Sequence, residues 1–242
     1  MADKNEERGK TLRALFEEVD CNGDRLTEQA VKGSRIPNII CKLPGSEQSE
    51  IVVGAHFDKV ARGKGVVDNW SGASLLPSFF QSLSSRPRRF TFVFIGFSDE
   101  EKGLIGSMFY MKQLAKEEKT RIRAMVNIDS LGLSSTKVWA SRADKNLGEA
   151  LLRVANSMQL PIGGVNVEQV GDSDSRAFVD NHIPSIDFHS ITQETLAILH
   201  SPRDTMSAIR PDDYYESYRL LASFLAFLDV TLNYSAGGGP VQ

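Results

Sequence analysis

Four short apolar runs constrain this chain most: Ile51 to Ala55, Phe90 to Phe97, Arg123 to Ile128 and Ser185 to Phe188. Each is bounded and brief, as strands buried on both faces are. Segments with helical spacing alternate with them, at Ser71 to Leu83, Leu104 to Lys116, Asn146 to Met158 and Asp212 to Leu232. Alternation of this kind, with crossovers of roughly 10 to 20 residues, predicts an α/β fold. The expected architecture is a three-layer α/β/α sandwich around a mixed, mostly parallel central sheet. Ahead of it, residues 6 to 19 place Leu12, Leu15, Phe16 and Val19 on one stripe, which predicts a helix ended by the polar turn Asn22-Gly23-Asp24. Asn38 to Leu43 and Glu50 to Ala55, parted by Pro44-Gly45-Ser46, have the shape of a hairpin. Residues 1–236 read as one domain, and Gly237-Gly238-Gly239-Pro240 opens a flexible tail over 237–242.

Composition narrows the partners. With 28 basic and 31 acidic side chains the net charge is −3, so no broad positive field favours nucleic acid or an acidic membrane. No window approaches the roughly 18 to 20 apolar residues of a membrane span. The start, Met1 to Arg8, lacks the apolar stretch of a secretory signal, which taken alone predicts a cytoplasmic protein. Cys21 and Cys41, the only cysteines, lie close in sequence. They suggest a disulfide and an oxidising compartment, the alternative being two unpaired core thiols.

The chemistry gathers at the ends of the apolar runs. Val52-Val53-Gly54-Ala55-His56-Phe57-Asp58 closes a strand with a histidine and an aspartate two positions apart, and side chains at i and i+2 of a strand face the same way. Asp68, the doublet Glu100-Glu101, Asp129 and His200 sit at or beyond the ends of other runs, and ligands of open α/β sheets bind beyond the strands' carboxyl ends. Carboxylates placed after apolar strands are costly unless a cation or a proton shares them. Asp68 also precedes a helix, so capping is an equal reading there. The set suits divalent metal, since zinc takes imidazole nitrogens and carboxylate oxygens. A single site with three histidines would need His182 or His189, and both read as capping or packed imidazoles. A dinuclear site fits the inventory better, with one histidine and one carboxylate per metal and a third carboxylate bridging. Two divalent ions against three carboxylates leave one net positive charge, suited to an activated hydroxide.

From about Pro37 to about Asp212 these motifs, five in order, resemble the zinc-dependent aminopeptidases of the M28 class. The resemblance implies that His56 and Asp129 hold one zinc, Glu101 and His200 the other, and Asp68 bridges them. It implies Glu100 as general base, accepting the proton of a water shared by the two zincs. Asp58 would orient His56, a partner that metal-bound imidazoles generally need. The implied substrate is a peptide with a free N-terminus. Its α-amine must be neutral to coordinate, and with a pKa of about 7.7 to 8.0 this predicts an optimum on the alkaline side. The Asp68-Asn69 peptide is expected to be cis, and a secreted or periplasmic location follows from the resemblance and the two cysteines. One departure concerns Ser173-Asp174-Ser175-Arg176, where relatives often carry Ser-Asp-His. Arg176 is left either as a contact to substrate or as a surface helix cation. Two rivals remain: a glutaminyl cyclase, which resembles these enzymes but uses one zinc and expels ammonia, and a catalytically inactive binding module. Against the first, the compact run Glu100 to Ser107 is of the aminopeptidase shape.

Overall fold

Period-two alternation of apolar side chains builds the centre of the sheet in the computed structural model, which describes residues 2–167 and 171–232. In chain order the elements are α1 (Asn5–Glu18), β1 (Leu26–Gln29), β2 (Asn38–Leu43), β3 (Glu50–His56), α2 (Ser71–Ala73), α3 (Leu75–Ser84), β4 (Thr91–Phe97) and α4 (Ile105–Gln113). There follow α5 (Lys116–Arg121), β5 (Ile122–Ile128), β6 (Lys137–Val138), α6 (Lys145–Met158), β7 (Gly163–Gly164), α7 (Arg176–Val179), β8 (Ser185–His189) and α8 (Pro211–Thr231). The strands form one eight-stranded mixed sheet in the order β1-β2-β4-β3-β5-β8-β6-β7. Its middle, β4-β3-β5-β8, is parallel; β1 and β2 add antiparallel on one side and β6 on the other.

Both faces are covered. Ile51, Val53, Phe92, Phe94, Val126 and Phe188 face a core closed by α1, α3, α6 and α8. Val52, Val93, Ile95, Phe97 and Met125 face the other way, against Tyr110 and Met111 of α4 and Phe178 of α7. The residues of one strand thus part between two cores, as the pleat requires, and the expected three layers are present.

The hairpin expectation fails. β2 and β3 do not pair, because β4 lies between them, antiparallel to β2 and parallel to β3. The connecting segment itself explains this: Ser46 and Glu47 donate backbone N–H bonds to the carbonyls of Arg88 and Arg89, and Thr91 donates to that of Ser49. The linker is therefore laid along the approach to β4 and steers that strand into the gap. Two strand spacings are about 9.6 Å, which residues 44–49 span easily. Smaller differences concern helix limits. The segment expected as Ser71 to Leu83 is two helices meeting at Ser74, and α4 ends at Gln113 with α5 following as a separate turn.

Cys21 and Cys41 form a disulfide, tying the chain just after α1 to β2 across 20 positions. Closing a loop of that length is worth about 3 kcal/mol on the chain-entropy scale. Among the described residues no helix is long and apolar enough to cross a membrane. The tail expected over 237–242 lies outside the described residues.

Candidate metal centre

Because β4, β3 and β5 are parallel neighbours, with His56 opposite Phe97 and Gly54 opposite Asn127, their carboxyl ends deliver side chains to one place. His56 ends β3, Glu100 and Glu101 follow the turn after β4, and Asp129 follows β5. His56 Nε2 lies 3.2 Å from Asp68 Oδ1, 3.7 Å from Asp129 Oδ1 and 3.9 Å from Glu100 Oε2. His200 Nε2 lies 3.0 Å from Asp68 Oδ2 and 3.0 Å from Glu101 Oε2. Two groups of ligand-type atoms result, His56-Asp68-Asp129 and Asp68-Glu101-His200, each with its atoms within 4.8 Å of one another. Asp68 belongs to both, one carboxylate oxygen to each side.

Asp58 is fully buried and does more than the sequence reading asked of it. Its Oδ1 is 3.5 Å from His56 Nδ1, and its two oxygens accept the backbone N–H groups of Glu100 at 3.0 Å and Glu101 at 3.3 Å. One carboxylate thus faces the imidazole and pins the acidic doublet. Asp99, Ser130 and His200 have φ of 51°, 57° and 54°, a region that residues with a side chain seldom adopt. His200 belongs to one group, Ser130 adjoins Asp129 of the other, and Asp99 precedes the Glu100-Glu101 doublet. The Asp68-Asn69 peptide is cis, as expected.

The charges explain what the site wants. His200 is raised from 6.5 to about 10, first by its hydrogen bonds to Asp68 and Glu101. For His56 burial works to lower the pKa, yet the surrounding Glu100, Asp129 and Asp58 hold it well above its ordinary value. Glu100 is pushed up from 4.5 to about 9, by burial first; His56 opposes this, while Asp174, Asp129 and Asp68 add to it. Glu101 Oε1 is buried without a hydrogen-bond partner, a costly state for a carboxylate oxygen. A donor set of two imidazoles and three carboxylates, one of them with a buried oxygen that lacks a partner, fits divalent cations.

The sign of the pH dependence follows. A raised histidine stabilises the folded state below 6.5 and loses that contribution as pH climbs toward about 10. A raised carboxylate works in the same direction, since folding holds a proton that the unfolded chain releases above 4.5, up to about 9. Chelator-treated protein is therefore expected to melt at progressively lower temperature from about pH 6 to about 9, whereas added zinc raises the melting temperature more at the alkaline end, where protons compete less. Melts with and without zinc across that range check this; a zinc effect that shrinks as pH rises would contradict it.

Other residues were less visible in the sequence. Asp204 accepts the N–H groups of Val67 at 2.6 Å and Asp68 at 3.3 Å, setting the backbone that presents Asp68. Asn69 donates to Ile128 O at 2.8 Å and accepts from Ser130 N–H at 3.1 Å, joining the Asp68 and Asp129 turns. Asp187, inside β8, accepts from Ser173, Ser175 and Asn127. The departure at Ser173 to Arg176 is thus partly a buried hydroxyl clamp on Asp187. Arg176 itself is exposed and pairs with Asp172 and Asp180, the surface role. His189 is buried, its Nδ1 accepting from Ile191 N–H at 3.1 Å, and His182 follows α7; neither joins the ligand groups. Beside the centre opens a cavity of about 410 Å³, lined by Glu100, Glu101 and Asp129 and by apolar Trp139, Phe188, Ile191, Leu196 and Leu199.

A sequence profile described as "Peptidase family M28" matches residues 38–225. The chain belongs to that family. Aminopeptidase YwaD of Bacillus subtilis is 29% identical over 167 residues, which cover 66% of this chain but 36% of that protein. The M28 chain also superposes on BSAP, a zinc aminopeptidase from Bacillus subtilis, with a TM-score of 0.72 and 25% identity, covering 78% of this chain and 49% of that one. A glutaminyl cyclase from Porphyromonas gingivalis shares the fold with a TM-score of 0.71 at 18% identity, covering 90% and 87%. The match therefore spans about a third to a half of these two aminopeptidases, and most of the cyclase.

Proposed function

We propose that this M28 chain is an exopeptidase that removes single residues from the free N-terminus of peptides. The observation that carries the reading is the sharing of Asp68 between two ligand groups, each completed by a histidine and a second carboxylate. In it His56 and Asp129 hold one zinc, Glu101 and His200 the other, and Asp68 both. Metal bound there would supply Lewis acidity toward the scissile carbonyl and lower the pKa of a nearby water.

The chain's own residues do the rest. Glu100 lines the cavity, and its Oε2 faces the same His56 Nε2 as Asp68 and Asp129 do. Its carboxylate takes the proton of the attacking water and passes it to the leaving amine. For this Glu100 must be ionised, and two cations nearby would offset the carboxylates that help raise it. Asp58 faces His56 Nδ1 at 3.5 Å and holds the doublet in place through its two backbone bonds. Trp139, Phe188, Ile191, Leu196 and Leu199 offer an apolar wall to the first side chain of the substrate. The Cys21–Cys41 disulfide supports a secreted or periplasmic location.

A glutaminyl cyclase is the second reading, supported by the fold shared with the solved cyclase over 90% of this chain and 87% of that one. Two ligand groups favour the peptidase. The deciding experiment incubates zinc-loaded protein at mildly alkaline pH with a mixed peptide library that includes glutamine-initiated members, read by mass spectrometry. Loss of single N-terminal residues, with apolar ones preferred, is the expected result. Loss of ammonia from the glutamine peptides alone would replace this reading with the cyclase, and an untouched library would favour a binding module.

A further inference from the structure

The matched segment begins at residue 38, so α1 lies outside it. The helix nevertheless reaches the metal centre. Arg8 is fully buried on the stripe it shares with Leu12 and Phe16. Its guanidinium donates Nε–H to Phe57 O, Nη1–H to Lys64 O at 3.2 Å and Nη2–H to Gly65 O at 2.9 Å. Phe57 stands between His56 and Asp58, and Gly65 opens the turn to Asp68. Trp70 covers the guanidinium, with its ring centroid 5.1 Å from Cζ. Asn5, one turn earlier, exchanges two bonds with the backbone of Lys59, at 3.2 and 3.1 Å. Gly9 lets the helix press on Phe57, since a Cβ there would meet the ring at 3.1 Å.

We propose that Arg8 is a positioning residue of the metal centre: its three-pronged grip on the carbonyls of Phe57, Lys64 and Gly65 fixes the two turns that present His56, Asp58 and Asp68. The proposal rests on reading the site as a metal centre. A planar fork of five donors suits three carbonyls in different directions, which a lysine cannot reproduce. Buried carbonyls left without a donor are costly, so the turns would shift to find other partners. The same group is a buried cation beside Asp58, Asp204, Asp68 and Glu101; burial lowers it to about 10, and those carboxylates keep it charged at neutral pH.

The test compares Arg8→Met, Arg8→Lys and Asn5→Ala in the full chain, with Arg13→Ala as a control, since Arg13 pairs with the surface residues Glu17 and Glu28. Zinc affinity is read by chelator competition, and ligand geometry by the visible spectrum of the cobalt-substituted protein; neither depends on peptidase activity. Arg8→Met is expected to weaken zinc ~10- to 100-fold, the scale of lost support to metal ligands, and to alter the cobalt spectrum. At saturating zinc kcat should fall while KM changes little. Arg8→Lys should recover part of the affinity, and Arg13→Ala should match wild type. Native zinc affinity and cobalt spectrum in Arg8→Met, whatever its melting temperature, would overturn the proposal. If that variant does not fold, wild-type values in both Arg8→Lys and Asn5→Ala would overturn it. A changed cobalt spectrum in a protein whose wild type cleaves no peptide would sustain the role of Arg8 and remove the aminopeptidase reading instead.

Discussion

Glu100→Gln is expected to lower kcat by at least ~10²-fold, the scale of positioned acid-base catalysis, while the protein still binds two zinc ions per chain. Glutamine keeps the size of the side chain and the backbone bond from Glu100 N–H to Asp58, so the turn is preserved. It cannot take a proton from water. Steady-state kinetics beside elemental analysis of metal content separate the two effects. If zinc is lost with the activity, Glu100 is a ligand and the roles of the two adjacent glutamates are exchanged.

The second large effect is expected at Asp68. Its two oxygens lie 3.2 Å from His56 Nε2 and 3.0 Å from His200 Nε2, and among the described residues Asp68 alone belongs to both ligand groups. Asp68→Ala should leave at most one tightly held zinc and reduce activity by more than the ~10- to 100-fold typical of losing a residue that merely supports a ligand. The variant also removes one negative charge from between two histidines. The His200 imidazole should therefore titrate closer to its ordinary range, visible as a fall in its pKa by NMR in chelator-treated protein, because Asp68 is the first cause of its rise. Two zinc ions retained at native affinity would mean that Asp68 is structural.

Much of this was legible because the fold puts its chemistry at strand ends. An apolar run that stops at a histidine or carboxylate announces both the strand and the site, and His56, Glu100-Glu101 and Asp129 follow that rule. What the sequence hides is support from a distance. Nothing near Asp68 signals that Asp204, more than a hundred positions later, holds its backbone N–H. Nor does the spacing around Pro44 reveal that β4 will separate β2 from β3, because the carbonyls that hold the linker there belong to Arg88 and Arg89, far along the chain. Arg8 left a faint trace, as a charge four positions before Leu12 on the buried stripe of its helix. Such a charge has to find polar partners inside.

The order of the strands bears on how the centre comes into being. Neither ligand group is local: one draws on the ends of β3 and β5, the other on the turn after β4 and on a residue beyond β8. The parallel pairs that align them join segments dozens of residues apart, contacts that form late because a long loop must first be closed. A cation therefore has no half-built pocket to organise early in folding. It would bind a finished scaffold, and its occupancy would report that the last strand has docked.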